Sequence, residues 1–594
     1  METAPTPAPA DPHRHWWRWA IAFWLVGAGA MLWYKWGGIY WFALSDTDDN
    51  LRIAEVRAWI AGQGWYDLRQ YRLDPPTGAS IHWSRLVDIP IAGLILLLKP
   101  ILGGPWADRW AVAIAPMLPL LVAIVAAMLA VRRLVSPSAY ALAGGLIFCG
   151  QAALLMFMPT RIDHHGWQLA LLLVAVAGNV DPRARRGGIV AGAASATSLT
   201  IGLEMLPYIA LMTGATALRW VWDAQEAVRL RAYGLALGIG AAIGFALFAS
   251  YDNRALVCDV LSPVYLSVCV AGGGLFVGLA ALKVERRDWR LAFAVTAAAL
   301  LVIGFALAFP QCLGRPERIS PELERLWFRN VREAKPLYQH PYTTSLPVIT
   351  LPLIGMIGCL WSTWKAWGSE RFAGWATTLL VSAFSCGLLL WQTRAGPAAQ
   401  LLAIPGAAAL GFAILSHTLE HRRSAVRVFG TLAGFLLVSG LFMPFLLRAL
   451  PAPPDKKGYR ARVSLANRRC PTLPALAPIA RLPRATVLTF VDLGPRLIAV
   501  THHNAIAGPY HRNGAAILDI HHAFRGSAET AHEVMRRHGA TLLLICPGMS
   551  ESTIYRAQAK TGFYSQISKG QVPGWLAPVP LPKNSPYKLW RRVD

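Results

Sequence analysis

Residues 33–52 read Trp33-Tyr34-Lys35-Trp36-Gly37-Gly38-Ile39-Tyr40-Trp41-Phe42-Ala43-Leu44-Ser45-Asp46-Thr47-Asp48-Asp49-Asn50-Leu51-Arg52. They are the aromatic end of an apolar run that begins near residue 16, followed at once by three carboxylates. A run of about 20 apolar residues is long enough to cross a hydrocarbon core, and Trp and Tyr anchor at headgroup depth. The run lacks a small-residue cleavage site after it, so it is expected to stay as a first membrane helix.

The rest of the chain repeats that pattern. Of 594 residues, 55% are hydrophobic and only 15% charged, too apolar a balance for an ordinary soluble protein. Further apolar runs lie near 107–131, 138–158, 232–250, 262–282, 290–309, 346–364, 372–391, 398–416 and 428–447. Shorter ones near 167–180, 187–203 and 205–219 bring the expectation to about 13 transmembrane helices. Residues 89–102, interrupted by Lys99 and Pro100, read as a re-entrant or interfacial helix. The net charge of +25 sits mainly in short gaps between apolar runs, where it sets orientation and argues against nucleic acid as partner.

The basic clusters at Arg132/Arg133, Arg183/Arg185/Arg186, Arg219/Arg229/Arg231, Lys283/Arg286/Arg287/Arg290 and Arg422/Arg423/Arg427 fall in alternate loops. With a cytoplasmic tail at 1–15 and a membrane domain at 16–448, the long loops 37–106 and 310–345 and the short loops 159–166 and 251–261 then face out. Lys456, Lys457, Arg460 and Arg462 run against that orientation, although long domains translocate regardless of charge. After Pro451, Pro453 and Pro454 the composition changes. β-like runs at 485–491, 496–501 and 541–546, with a helix-like stretch at 528–538, predict a soluble α/β domain over 449–594. Cys258, Cys312, Cys470 and Cys546 all fall on the outer side, so bridges Cys258–Cys312 and Cys470–Cys546 are candidates, with four buried free thiols the alternative.

Chemistry concentrates in a few places. Asp46, Asp48 and Asp49 repel one another beside a membrane surface, which is tolerable where they bind a cation or act on substrate; helix N-capping is the bland alternative. Arg161-Ile162-Asp163-His164-His165 offers carboxylate and imidazole on the same outer side, a donor set for Mn²⁺ or Mg²⁺ that Asp49 would complete; a polar capping loop explains it otherwise. The loop 72–88, with His82 and Arg85, and Arg52 just before it, suits a phosphate or sugar. Arg394, at an outer helix end, is a further phosphate candidate, with snorkelling the commoner explanation.

An acidic loop after helix one, an acidic and His loop after helix three, and an external C-terminal domain resemble the GT-C superfamily of polyprenol-phosphate-dependent glycosyltransferases. The stretch Asp49 to Arg57, then Gly62-Gln63-Gly64-Trp65, is similar to the first external loop of aminoarabinose lipid A transferases and protein O-mannosyltransferases, which puts Asp49 at their essential aspartate. Residues 161–165 are similar to the second acidic loop of the oligosaccharyltransferase catalytic subunit, whose archaeal forms carry Asp-His-His. There Asp163 and His165 would bind the divalent metal. The Trp-Trp-Asp hallmark of that subunit is absent from the tail, which speaks against asparagine as acceptor. In its place stands the polar run Thr501-His502-His503-Asn504-Ala505-Ile506-Ala507-Gly508-Pro509-Tyr510-His511-Arg512-Asn513, able to contact acceptor or donor.

The resemblance implies transfer of a sugar or oligosaccharide from a polyprenyl phosphate or diphosphate to a cell-envelope acceptor, on the outer face of a bacterial inner membrane. Asp49 would be general base or metal ligand, with Asp48 and Asp46 in support, and the cation and Arg394 would neutralise the leaving phosphate. A transporter or flippase is the rival; against it, the charges cluster in outer loops, with Glu204 the main exception. A noncatalytic scaffold for envelope assembly is the third reading.

Overall fold

The computed structural model describes residues 15–451 and 458–594. The tail before residue 15, Pro453, Pro454, Lys456 and Lys457 lie outside them. Helix α1 (Trp16–Tyr40) is followed by a short turn and by α2 (Thr47–Ile60), which starts where Asp46 caps it by accepting from the Thr47 N–H at 2.7 Å. A two-strand hairpin, β1 (Arg69–Gln70) with β2 (Ala79–Ser80), leads to α3 (Asp88–Leu102). Gly103, at φ 75°, ends that helix and separates it from the next one. One face of α3 buries Ile91, Ala92 and Ile95 while Leu96, Leu97 and Ile101 stay exposed.

Five helices among the described residues are long and apolar enough to cross a membrane, and seven if two bent pairs each make one span. By that measure the expected count of about 13 is not reached. The physical reason is visible in two places. The run at 138–158 is divided into Tyr140–Leu146 and Gln151–Leu155. The three short runs form helices His165–Asn179, Ala184–Ile201 and Leu206–Trp222, of which the first two have most of their residues buried within the protein. Helices approach closely where glycine allows it: a Cβ on Gly358 would lie 2.0 Å from the Gly406 carbonyl oxygen, and one on Gly406 1.9 Å from that of Gly355.

The connecting loops sort to two ends of this bundle. At one end Arg133 and Arg186 meet Asp181 at 2.6 and 2.7 Å, Arg229 donates to the Asp181 carbonyl, and Arg219 and Arg229 share Glu226. Loops that the alternation of basic residues groups together are thus in contact. At the other end lie the loops of 41–88, 159–165, 202–205 and 250–262.

The C-terminal part packs on that second end. Its five-stranded mixed sheet has the order β4-β3-β5-β7-β6, with β3 Thr486–Leu488, β4 Asn504–Ala505, β5 Ala540–Ile545, β6 Leu576–Pro578 and β7 Lys588–Arg592. The expected helix at 528–538 is Ala528–Arg537, and the strand expected at 541–546 is β5. The run at 496–501, expected as a strand, is instead the helix Gly494–Val500. Pro495 in its first turn favours a helix start, and a short run buried on every side gives no period that separates the two. That helix packs against α2. The hydrophobic core of the sheet domain takes in Leu51, Leu73, Ile81, Trp83 and Leu323 from the membrane half, so no apolar boundary falls at 449. The loop 41–88 also joins the sheet: Asp74 N–H donates to the Ala505 carbonyl at 3.0 Å and Ala505 N–H to that of Arg72 at 2.9 Å.

Both candidate bridges are formed, Cys258–Cys312 and Cys470–Cys546, across 54 and 76 residues of chain. Replacing Cys470 and Cys546 together by Ala frees a long loop in the unfolded chain, and is expected to lower stability by about 4 kcal/mol. A fall in melting temperature under non-reducing conditions checks this; an unchanged value would mean that the bridge restrains nothing.

Candidate active site

The three carboxylates take different positions. Asp46 is half exposed at the α2 N-terminus, Asp48 is half-buried one residue into the first turn, and Asp49 is fully buried. Asp49 reaches across to the second acidic loop. Its Oδ1 accepts the backbone N–H groups of Ile162 at 2.7 Å and Asp163 at 3.0 Å, while its Oδ2 is buried without a hydrogen-bond partner. Arg161 ties the group together, with its guanidinium 2.7 Å from Asp46, 2.7 Å from Asp163 and 3.6 Å from Asp49. Ser45 and Thr160 hydrogen bond beside it, at 2.9 Å between hydroxyls. Two loops far apart in the chain therefore form one polar cluster, as the two acidic motifs lead one to expect.

Asp163 also holds His165: the imidazole Nδ1–H donates to Oδ2 at 3.0 Å and the backbone N–H to Oδ1 at 3.1 Å. His164, expected among the metal ligands, is turned elsewhere. Its Nε2–H meets Glu204 Oε1 at 2.9 Å, and Gln168 donates to the other Glu204 oxygen at 2.7 Å. Glu204, the residue on which a transport reading leans, is thus paired at the same end as the acidic cluster.

The four side chains expected at a donor phosphate are also placed. Arg52 is fully buried, 2.9 Å from Asp88 and stacked 4.6 Å from the centre of the Trp83 ring. Arg85 is buried on the second oxygen of Asp88 at 3.3 Å and donates to the carbonyls of Gly64, Trp65 and Asp67. Both guanidinium groups are occupied in shaping the loop 61–88, because a buried Asp88 demands compensation. His82 faces His511 across 4.7 Å between ring centres. Arg394 lies on the turn Thr393–Ala395, and among the described residues no ion pair joins it to the acidic cluster.

Burial governs the titration of the cluster. It raises Asp48 to about 7, with Asp46 and Asp163 adding to the effect, and raises Asp49 well above the carboxylate range despite Arg161. Burial acts on Asp163 in the same direction, but Arg161 and His165 outweigh it and hold the group low. Burial disfavours the His165 cation, yet Asp163 lifts it to about 9. Glu55, three residues after Arg52 on α2, has both carboxylate oxygens buried and without partners; burial, then Asp88, push it up to about 8.

Other participants were hidden in the sequence. Arg161 bears the central positive charge, although its triplet with Asp163 was the visible feature. Tyr510, from the polar run of the tail, sends its hydroxyl to the Thr47 carbonyl at 3.2 Å and stands edge-on to Trp83. Arg57 and Arg72 donate to backbone carbonyls of 498–503, and Arg496 to Asn50, which seats the tail against α2. The density of His, Tyr and Arg at 501–513 was the available signal.

No family model matches the chain, and no curated protein matches it. Solved structures do. Oligosaccharyltransferase AglB of Archaeoglobus fulgidus, in complex with an inhibitory peptide and a dolichol-phosphate, superposes with a TM-score of 0.67 at 16% identity, covering 91% of this chain and 71% of that one. An oligosaccharyltransferase of that organism tethered to an acceptor peptide with an NVT sequon gives 0.66 at 14% identity, covering 91% and 71%. Its form with Zn and sulfate gives 0.61 at 15% identity, covering 91% and 70%. The chain therefore has the fold of these archaeal oligosaccharyltransferase structures.

Proposed function

We propose that this chain is a GT-C glycosyltransferase that moves a sugar or oligosaccharide from a polyprenyl-phosphate-linked donor to a cell-envelope acceptor. The observation that carries the reading is Asp49: a buried carboxylate with one oxygen fixed by two backbone N–H groups and the other unpartnered, in the fold of an oligosaccharyltransferase. A fixed, desolvated carboxylate with a raised pKa suits removal of a proton from an acceptor as it attacks the anomeric carbon. Asp48, near 7, is poised to relay that proton, and Asp46 keeps Arg161 in place. Arg161 supplies positive charge beside the departing phosphate oxygen.

A divalent cation is part of the reading as an alternative; among the described residues the three donors that lie within 4.8 Å of one another are His82, Asp259 and His511, so the acidic cluster would have to draw together around an ion. Asp49 Oδ2 lacks a hydrogen-bond partner, with Arg161 at 3.6 Å, and Asp163 and His165 contribute a carboxylate and an imidazole to the same cluster. In that alternative Asp49 is a ligand rather than the base: Asp49, Asp163 and His165 would hold the ion, which would supply Lewis-acid stabilisation of the phosphate leaving group. His164, on Glu204, orients the loop rather than joining that set. The side of action in this reading is the outer face of a bacterial inner membrane, with the C-terminal domain on the same side. It is supported by the shared end of the acidic cluster and that domain, and by the grouping of basic loops at the other end.

The test is donor consumption. Purified protein is incubated with the polyprenyl-phosphate-linked sugar pool and envelope extract, and lipids are followed by mass spectrometry. Release of free polyprenyl phosphate or diphosphate, dependent on the protein, is expected; an unchanged donor pool overturns the reading.

A further inference from the structure

A second polar cluster lies where the first external loop, the loop at 251–261 and the C-terminal domain meet. His82, Asp259 and His511 each turn a nitrogen or oxygen toward the others, and these atoms lie within 4.8 Å of one another. His511 Nε2–H donates to Asp259 Oδ2 at 2.6 Å, and the His82 ring lies 4.7 Å from that of His511. Nδ1 of His82 is buried and has no hydrogen-bond partner. None of these three side chains contributes to the acidic cluster around Asp49.

We propose that His82, Asp259 and His511 form a zinc site with an open fourth position, which ties the C-terminal domain to the membrane half. Two imidazoles and one carboxylate, with a fourth position for water, are a donor set that Zn²⁺ takes in tetrahedral geometry. The ion would displace the His511 Nε2 proton to solvent and open the 2.6 Å separation from Asp259 Oδ2 to about 3.3 Å, the spacing of donors about 2 Å from a tetrahedral ion.

The surroundings are those of an oriented ligand set. Arg512 grips Asp259 in two-point fashion, Nε to Oδ2 and Nη2 to Oδ1, both at 2.7 Å. Its Nη1 donates to Asn253 Oδ1 at 2.7 Å, and the Asn253 amide donates to the His82 carbonyl at 3.3 Å. A carboxylate has about four acceptor positions, so Arg512 leaves room for the metal on Asp259. Outer partners that fix carboxylate and imidazole ligands in this way are a regular feature of zinc centres. Cys258, beside Asp259, is anchored to Cys312, which restrains the loop that supplies the central ligand. Each ligand comes from a different segment of chain, so an ion here would resist separation of the three.

The experiment uses full-length protein in detergent, in an Asp163→Ala background so that the acidic cluster cannot contribute. After chelation and zinc reloading, metal content is measured by mass spectrometry. One zinc per chain is expected, falling at least tenfold on adding His511→Ala or His82→Ala, with a loss of the zinc-induced rise in melting temperature. Zinc that persists in those variants, or no zinc in the Asp163→Ala background, overturns the proposal. If the His511 variant fails to fold, X-ray absorption of the zinc-loaded Asp163→Ala protein decides: two imidazole nitrogens per zinc support the site, and fewer refute it.

Discussion

Asp49→Asn is expected to lower glycosyl transfer by about 10³-fold while leaving the protein folded. The substitution separates two functions of one side chain. Its amide oxygen can still accept from the Ile162 and Asp163 N–H groups, the contacts at 2.7 and 3.0 Å that join the two acidic loops. What it removes is the charge and the unpartnered Oδ2. Asp49→Ala removes both, leaving two buried N–H groups unsatisfied at about 1–3 kcal/mol each, so it should lose stability as well as rate. Donor consumption and melting temperature, measured on both variants, make the comparison. An Asn variant that transfers within about threefold of wild type would remove Asp49 from the chemistry, since general-base proton transfer is worth far more than that.

Arg161→Met should have the largest effect on stability. The guanidinium is only 10% exposed and stands against Asp46 and Asp163, with Asp49 at 3.6 Å. Its removal leaves Asp163 and Asp49, both with fully buried side chains, without that countercharge, and stranding a buried charge costs about 3–5 kcal/mol. A second consequence follows from the same contacts. Arg161 and a divalent ion would compete for these carboxylates, so the Met variant is expected to bind Mn²⁺ more tightly than wild type and to regain melting temperature when the ion is added. Calorimetry and thermal unfolding with and without Mn²⁺ read both. Neither binding nor recovery would mean that the carboxylates are not a ligand shell, and Asp49 would then act as base beside Arg161 and the His165 cation.

Much of the architecture was written locally. Apolar length marks helices such as Arg287–Ala308 and Tyr342–Lys365, because spanning is a property of composition over a single window. The carboxylates at 46, 48 and 49 were visible because so much like charge in a few residues is costly without a purpose, and Asp163 with His165 because their donors sit two residues apart. The helix Ala528–Arg537 and the strand Ala540–Ile545 carried their own periodicity and propensity. The helix Gly494–Val500 did not, since a short run buried on all sides has no polar face to reveal its period.

Sequence by itself determined the membrane class and the acidic loops, each a matter of composition or of residue type at short spacing; the two cysteine pairings it offered only as candidates, and the fold formed them. Only the tertiary structure decided which charges meet. Arg52 and Arg85 converge on Asp88, His164 turns to Glu204, Arg161 stands among three aspartates, and Tyr510, His511 and Arg512 return from more than 400 residues away to the segment 47–82. The reason is physical: a buried charge selects its counter-ion by distance in the folded chain, and no spacing along the sequence encodes that distance.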